Sequence, residues 1–519
     1  MGEGGIGEME TIHGHRGGEA DLRGRMLVSA LGWLVGFGLV AAPALAVEPP
    51  KPTPELLTKG KELFKKECSV CHGAEGKGDG PAAYLLFPAP RDFTRGVFKL
   101  RSTPSGEPPL ASDILRTITE GVPGSAMPGF PQLSEQDRWA IVYHLKKVGN
   151  VGEPEKAVTV KGVPPATPKR IARGKALYKD LKCWECHGEK GIGDGPSALT
   201  TKDDWGFPNP PNNFPQGVFK GGARPSDIYL RFTTGMDGSA MPSYEDSVRP
   251  DDRWSLVHYV KSLSGRRVVR QPGAGTIQAV RVKKLPAGPE DPGWAKVKPS
   301  SVPLMVLWQR MQWSHAVQVK AAHDGKRIAF LLAWEDETLG ARPLKHHEFA
   351  DAAALQFVLK PREGGDGPQF TMGDEDALVN IWYWRADREK AGQGSGRNVR
   401  EGGGGARHSL VVPVAAATDG RGPVARIKRT PPVEDLNALG FGTVTPQSAA
   451  EQNVEGRSVR RGKGWAVLFT RTLDGEGPLD VRLAPGGSFP VAFAVCDGGV
   501  SDRDGKKAVS TWYTLRFEK

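Results

Sequence analysis

Four of the five cysteines stand in two short strings, Cys68-Ser69-Val70-Cys71-His72 and Cys183-Trp184-Glu185-Cys186-His187. Two thiols separated by two residues and followed at once by an imidazole form the attachment sequence of a c-type haem. The thiols add across the haem vinyl groups as thioethers. One helical turn presents both to the same macrocycle edge, and the adjacent histidine reaches the iron from the proximal face. Cys68, Cys71, Cys183 and Cys186 are therefore candidate attachment residues, and His72 and His187 candidate iron ligands. The competing chemistries are a redox dithiol and half a zinc site. A dithiol needs no following histidine, and zinc does not explain the wider repeat.

That repeat runs beyond the cysteines. The string C-S-V-C-H-G-A-E-G-K-G-D-G-P from Cys68 returns 115 residues later as C-W-E-C-H-G-E-K-G-I-G-D-G-P from Cys183. Gly60 and Phe64 match Gly174 and Tyr178. G-S-A-M-P recurs around Met127 and Met241, and R-W-A-I-V-Y-H-L around Trp139 returns as R-W-S-L-V-H-Y-V around Trp254. One unit has been duplicated with its landmarks in register. A methionine at the same place in both copies, followed by proline in a Gly/Pro-rich loop, suits the far face of a haem. Met127 and Met241 are the candidate distal ligands. Met236, His144 and His258 compete, but none stands at one position in both copies. His/Met ligation raises the reduction potential and leaves no open iron position, which favours electron transfer over oxygen or peroxide chemistry.

The elements that must position these groups are helical. Helical patterns cover Leu56 to Cys68 and Ile171 to Cys183 before the motifs, and Glu135 to Val148 and Asp251 to Leu263 after them. Ser134 is a good N-cap, with acidic Asp137 in the first turn. Val151 to Lys169 reads as a linker between the units and Gly265 to Ser301 as a second.

Beyond residue 300 the period changes to two. His315 to Val319 leads through Asp324-Gly325 into Arg327 to Leu332, a hairpin signal. Strand-like runs follow at Ala354 to Leu359, Leu378 to Trp384, Ser409 to Ala415, Gly464 to Thr470, Pro490 to Cys496 and Ala508 to Phe517. The expected fold is multidomain: two all-α cytochrome c domains followed by an all-β sandwich, with boundaries at 47–150, 170–265 and 301–519. Asp387 to Ala406 is a Gly-rich insertion, and His346-His347 reads as a polar loop.

Composition narrows the class. The 519 residues carry a net charge of +11 without a dense basic run, so nucleic acid is the weakest of the acidic partners. A mean hydropathy of −0.40 excludes a multi-span membrane protein. At the N-terminus, Arg23 and Arg25 precede an apolar stretch ending in Ala44-Leu45-Ala46, which reads as a signal peptide over residues 1–46. The alternative is an uncleaved anchor over Met26 to Val47, long enough to span a bilayer. Either reading exports the rest of the chain, in a bacterium to the periplasm.

Residues 55–265 resemble small monohaem cytochrome c domains. In that family the proline after the haem motif offers its carbonyl to the proximal histidine, and Pro81 and Pro196 match it. Residues 290–519 carry further strings: V-L-W-Q-R-M-Q-W-S-H, F-A-D-A-A-A-L-Q-F, T-M-G-D-E-D-A-L-V-N-I-W-Y-W, V-A-F-A-V-C-D-G-G and G-K-K-A-V-S-T-W-Y-T-L. In this order they resemble the haem-b-binding γ subunit of ethylbenzene dehydrogenase and its relatives in dimethylsulfide dehydrogenase, chlorate and selenate reductases and nitrite oxidoreductases. The resemblance implies a non-covalent haem b between a methionine and a lysine, here Met372 and Lys507, with Lys506 as the fallback. Cys496 stands where the family usually has tryptophan, and fusion to two cytochrome units departs from the plain γ-subunit layout.

The expected function is electron transfer, not catalysis. The chain would carry two covalent haem c groups and one haem b. Its partners would be the molybdopterin and iron–sulfur subunits of a dimethyl-sulfoxide-reductase-type enzyme, and a cytochrome or respiratory-chain acceptor. Membrane contact would require the uncleaved N-terminus. The alternative is a dihaem shuttle whose sandwich serves as a binding or docking module. A dihaem peroxidase is a third reading, opposed by two methionine-ligated irons.

Overall fold

Thr53 and Thr167 begin the two repeats in the same way. The computed structural model describes residues 49–264, 271, 273–310, 312–338, 340, 348–360, 368, 372–374, 376–388 and 431–519. In it, each threonine hydroxyl accepts from the backbone N–H three residues on, and a proline fills the first helical position. The cap satisfies a free donor and the proline presets the first φ. The first repeat comprises α1 (Pro54–Glu67), α2 (Ser69–His72), α3 (Ala111–Glu120) and α4 (Glu135–Val148). The second comprises α5 (Pro168–Asp180), α6 (Trp184–His187), α7 (Pro225–Thr234) and α8 (Pro250–Ser264). Ser134 caps α4 as expected, accepting from Asp137 N at 3.1 Å.

In each repeat the opening helix crosses the closing one at a glycine. A Cβ on Gly60 would lie 2.1 Å from Ala140 O, and one on Gly174 would lie 2.0 Å from Ser255 O. Only glycine allows so close a crossing, which explains why it recurs in both copies. Phe64, Trp139 and Ile141 fill the first core; Tyr178, Trp254 and Leu256 fill the second. The two units are tied together by charged side chains, of which Arg101 and Asp227 are buried. Arg101 bonds Thr234 O at 2.9 Å and pairs with Asp237 at 2.8 Å, Arg116 pairs with Asp227 at 2.9 Å, and Arg91 lies 4.0 Å over the Trp205 ring.

The β half comprises β1 (Thr276–Arg281), β2 (Ser300–Pro303), β3 (Met305–Val306), β4 (Ala316–His323), β5 (Arg327–Glu335), β6 (Ala352–Val358) and β7 (Val379–Arg385). It continues with β8 (Val433–Ala438), β9 (Thr445–Pro446), β10 (Glu455–Arg461), β11 (Gly464–Thr472), β12 (Ser488–Cys496), β13 (Ala508–Val509) and β14 (Tyr513–Phe517). The expected hairpin joins β4 to β5, with Gly325 at φ 92° in the turn. The main path of hydrogen bonding runs β10-β11-β5-β4-β1-β14-β12-β6-β7-β8-β9. This sheet folds back on itself. Phe330 on β5 meets Phe357 on β6 at 6.0 Å and Trp382 on β7 at 5.9 Å, while Trp334 meets Trp384 at 6.0 Å. Strands distant in the sheet thus close on one aromatic core, which makes the sandwich.

Two segments differ from the sequence reading. The stretch read as a linker at 266–300 contains β1, which pairs in parallel with both β4 and β14. Thr276 to Ala279 alternates polar and apolar, with Ile277 and Ala279 buried, but the run is short and lies amid Gly/Pro-rich chain; its register comes from strands distant in sequence. The single run at Ala508 to Phe517 is two strands, broken where Ser510 exchanges hydrogen bonds with Phe493. The signal segment, His346-His347, the run at 409–415 and most of the Gly-rich insertion lie outside the described residues. Among the described residues no helix is long and apolar enough to cross a membrane.

Candidate haem sites

Cys68, Cys71, His72 and Met127 line one cavity, and Cys183, Cys186, His187 and Met241 line another. The short helices α2 and α6 hold each motif in one turn: His72 N bonds Cys68 O and His187 N bonds Cys183 O, both at 2.9 Å. The His72 ring stacks on Phe93 at 4.5 Å, and its Nδ1–H donates to Arg91 O at 2.9 Å. The His187 ring stacks on Phe214 at 4.5 Å, and its Nδ1–H donates to Asn212 O at 3.3 Å. Each bond fixes the tautomer and leaves Nε2 as the free lone pair.

The carbonyl partners are therefore not Pro81 and Pro196, which are exposed. Gly80 N bonds Cys71 O, and Ala82 N bonds Val70 O, so the Gly-Pro segment is held against the back of its own motif. The carbonyl comes instead from the loop that brings the stacking phenylalanine. Arg91 and Phe93 share their spacing with Asn212 and Phe214, a repeated signal that the sequence reading passed over.

Burial sets the protonation of both sites. It pushes the Cys71 thiol up to about 12 and Cys183 up to about 11, and raises Cys68 and Cys186 as well. It pulls His72 down to about 4, against the hydrogen bond to Arg91, and lowers His187 in the same way. Burial thus favours the neutral imidazole at both positions, the form that can ligate a metal.

The methionine loops are built alike. Val122 N bonds Met127 O and Met236 N bonds Met241 O, each at 3.0 Å. Ser125 Oγ accepts from Met127 N at 3.2 Å, and Ser239 Oγ from Met241 N at 3.4 Å. Met236 thus stands where the first copy has Val122, and it lines both cavities. His144 packs on Phe64 and His258 on Trp254, and neither lines either of these two cavities. Cavities holding two thiols, a neutral imidazole and a thioether on apolar walls fit covalent haem.

In the sandwich, Lys507 Nζ lies 3.2 Å from Met372 Sδ. Met372 packs with Tyr383 and Trp512 against Ile381 and Leu436. Burial pushes the Lys507 amine below its ordinary value, with Cys496 and Asp504 opposing. Cys496 is buried and its thiol is driven up to about 12. Lys506 points elsewhere: it is exposed and lies 5.4 Å over the Trp308 ring. A soft thioether and an amine whose proton burial disfavours are donor types that would hold a haem b here.

The first cavity lies against the sandwich. Cys71, Leu86 and Ala126 pack with Met305, Leu307 and Val509, and Val509 is two residues from Lys507. Gln271 ties the same junction, donating to Met127 O at 2.7 Å and to Met305 Sδ at 3.6 Å.

Helices that hold paired thiols and imidazoles, joined to a β-sandwich with a Met–Lys contact, define a haem protein of mixed architecture. The cytochrome c family model matches residues 57–149 and 171–264, and the ethylbenzene dehydrogenase model matches residues 291–508. The chain is a tandem cytochrome c fused to an ethylbenzene-dehydrogenase-type γ domain. It is similar to the chlorate reductase subunit gamma of Ideonella dechloratans, 29% identical over 44% of this chain and 80% of that protein. It is also similar to the dimethylsulfide dehydrogenase subunit gamma of Rhodovulum sulfidophilum, 28% identical over 45% of this chain and 76% of that one. A chain of the Kuenenia stuttgartiensis reducing HAO-like protein complex is 47% identical over 42% of this chain and 99% of its own, with a TM-score of 0.40.

Proposed function

We propose that this chain is the γ-like haem subunit of an exported molybdenum oxidoreductase of the dimethyl-sulfoxide-reductase type. It would relay electrons between that enzyme's iron–sulfur subunit and a cytochrome or respiratory acceptor. The observation that carries the reading is the convergence of Met372 and Lys507 at 3.2 Å inside a domain of the ethylbenzene dehydrogenase type. Haem, when bound, supplies reversible one-electron carriage. The protein's part is to hold, insulate and connect. Met372 and Lys507 would hold a haem b; Cys68, Cys71, His72 and Met127 one haem c; Cys183, Cys186, His187 and Met241 a second. The apolar contact of Cys71, Leu86 and Ala126 with Val509 makes the first cytochrome unit the sandwich's neighbour. The apolar packing of the first cavity favours the relay order sandwich, first unit, second unit. Substrate chemistry would belong to another polypeptide, as the relatives' subunit names suggest.

The test is purification of the native protein from its source under mild conditions. Molybdopterin and iron–sulfur subunits should accompany it, and the complex's substrate should change the redox state of the c haems. A chain recovered alone, with c haems only, would favour the stand-alone shuttle with a docking sandwich.

A further inference from the structure

Lys99 and Lys220 line both cytochrome cavities. They come from loops of different units, yet both reach the wall that the two cavities share. Among the described residues neither amine forms an ion pair. Lys220 Nζ donates to the neutral Gln309 Oε1 at 3.2 Å. The surroundings are short of anions: among the described residues no Asp or Glu lines the second cavity, and Glu67 alone lines the first. Burial pulls Lys220 down to about 8. Burial pulls Lys99 down to about 7, with Arg91 and Lys220 adding to the effect and Asp203 and Asp204 opposing it.

An ammonium in an apolar wall without a counter-charge is costly. The chain spends two such groups on one wall, where each meets both cavities. The cost falls if the amine gives up its proton, or if an anionic ligand enters the cavities and keeps the charge. A haem c brings two propionate carboxylates at the edge opposite its thioethers. We propose that Lys99 and Lys220 form a common seat for propionate carboxylates of the haems in both cavities, so that one pair of cations sets both c-haem potentials. This rests on covalent haem in the two cytochrome units. It stands whether or not the sandwich carries a haem b.

The sign follows from Coulomb attraction. A nearby cation favours the reduced haem, and removing it leaves a propionate unpaired, so both effects lower the potential. The experiment is a spectroelectrochemical titration of the full-length holoprotein. Lys99→Gln and Lys220→Gln should each lower the midpoints of both c haems. Lys182→Gln should leave the first midpoint unchanged, because Lys182 lines only the second cavity and is exposed beside Glu185. Lys99→Arg and Lys220→Arg keep the charge and should hold both midpoints. A glutamine variant that moves one midpoint, or neither, at full haem content overturns the proposal. So does a fall of both midpoints in the arginine variants. If a glutamine variant fails to load haem, the arginine variants still decide. The new guanidinium geometry should shift the propionate vibrations of both haems in the resonance Raman spectrum, and unchanged bands refute the seat.

Discussion

Lys507 Nζ and Met372 Sδ stand 3.2 Å apart although 135 positions separate them in the chain. Neither group has a strong attraction for the other, since a thioether is a weak acceptor. What they share is the capacity to ligate iron. A lysine does so only as the neutral amine, and burial at this position favours that form. Lys507→Ala should therefore lower haem b occupancy or change its spin state. Lys506→Ala should do neither, because Lys506 is exposed beside Trp308. Equal loss in both variants, measured as haem b per chain, would refute this assignment.

The distal methionines make a separate prediction. Met127→His and Met241→His should each lower one c-haem midpoint and leave the other nearly in place, since imidazole stabilises ferric iron better than a thioether does. Met236→Leu is the comparison, because Met236 faces both cavities. If Met236→Leu removes a low-spin methionine signature while Met241→Leu does not, the ligand of the second unit is Met236.

The sandwich core depends on a charge. Arg471 is fully buried; it lies 3.5 Å from Asp480 and 3.9 Å from Asp435, and Asn380 Oδ1 accepts from it at 3.3 Å. Removing the guanidinium leaves carboxylates without a counter-charge. Arg471→Met should cost about 3–5 kcal/mol of sandwich stability, read by denaturant unfolding. A loss below about 1 kcal/mol would show that the pair is dispensable.

A second acidic group sets a pH dependence. Asp336, Asp351 and Asp497 place carboxylate oxygens within 4.8 Å of one another, all buried. Burial, then repulsion from Asp351 and Asp497, pushes Asp336 up to about 7. The native state thus holds a proton that the unfolded chain, with an ordinary carboxylate, releases near pH 4. Stability from this group is greatest at low pH and falls as pH rises from about 4 to about 7. Asp336→Asn should flatten that decline and raise stability at pH 8 by about 2–4 kcal/mol. The check is thermal unfolding of both proteins between pH 4 and 8; parallel curves would contradict it.

Local chemistry made much of this legible from sequence. C-x-x-C-H strings need no tertiary context, and Gly60 and Gly174 showed as matched landmarks of the repeat, although the close helix crossing that requires them is seen only in the fold. Asp324-Gly325 marked its turn for the same local reason. What escaped was long-range. The carbonyls over His72 and His187 come from residues 19 and 25 positions on. The polar–apolar alternation of Thr276 to Ala279 is too short to announce β1, whose neighbours lie near positions 320 and 515. Lys99 and Lys220 look like ordinary solvated lysines until two units meet. The pairing of Met372 with Lys507 was legible only through the family resemblance.

A third, non-covalent haem beside two covalent ones can be checked by counting haem types. Full-length protein made with ample haem should be extracted with acidified acetone and both fractions assayed as pyridine haemochromes. One haem b should appear in the extract for every two haem c groups left on the chain. Full haem c with no extractable haem b would contradict it.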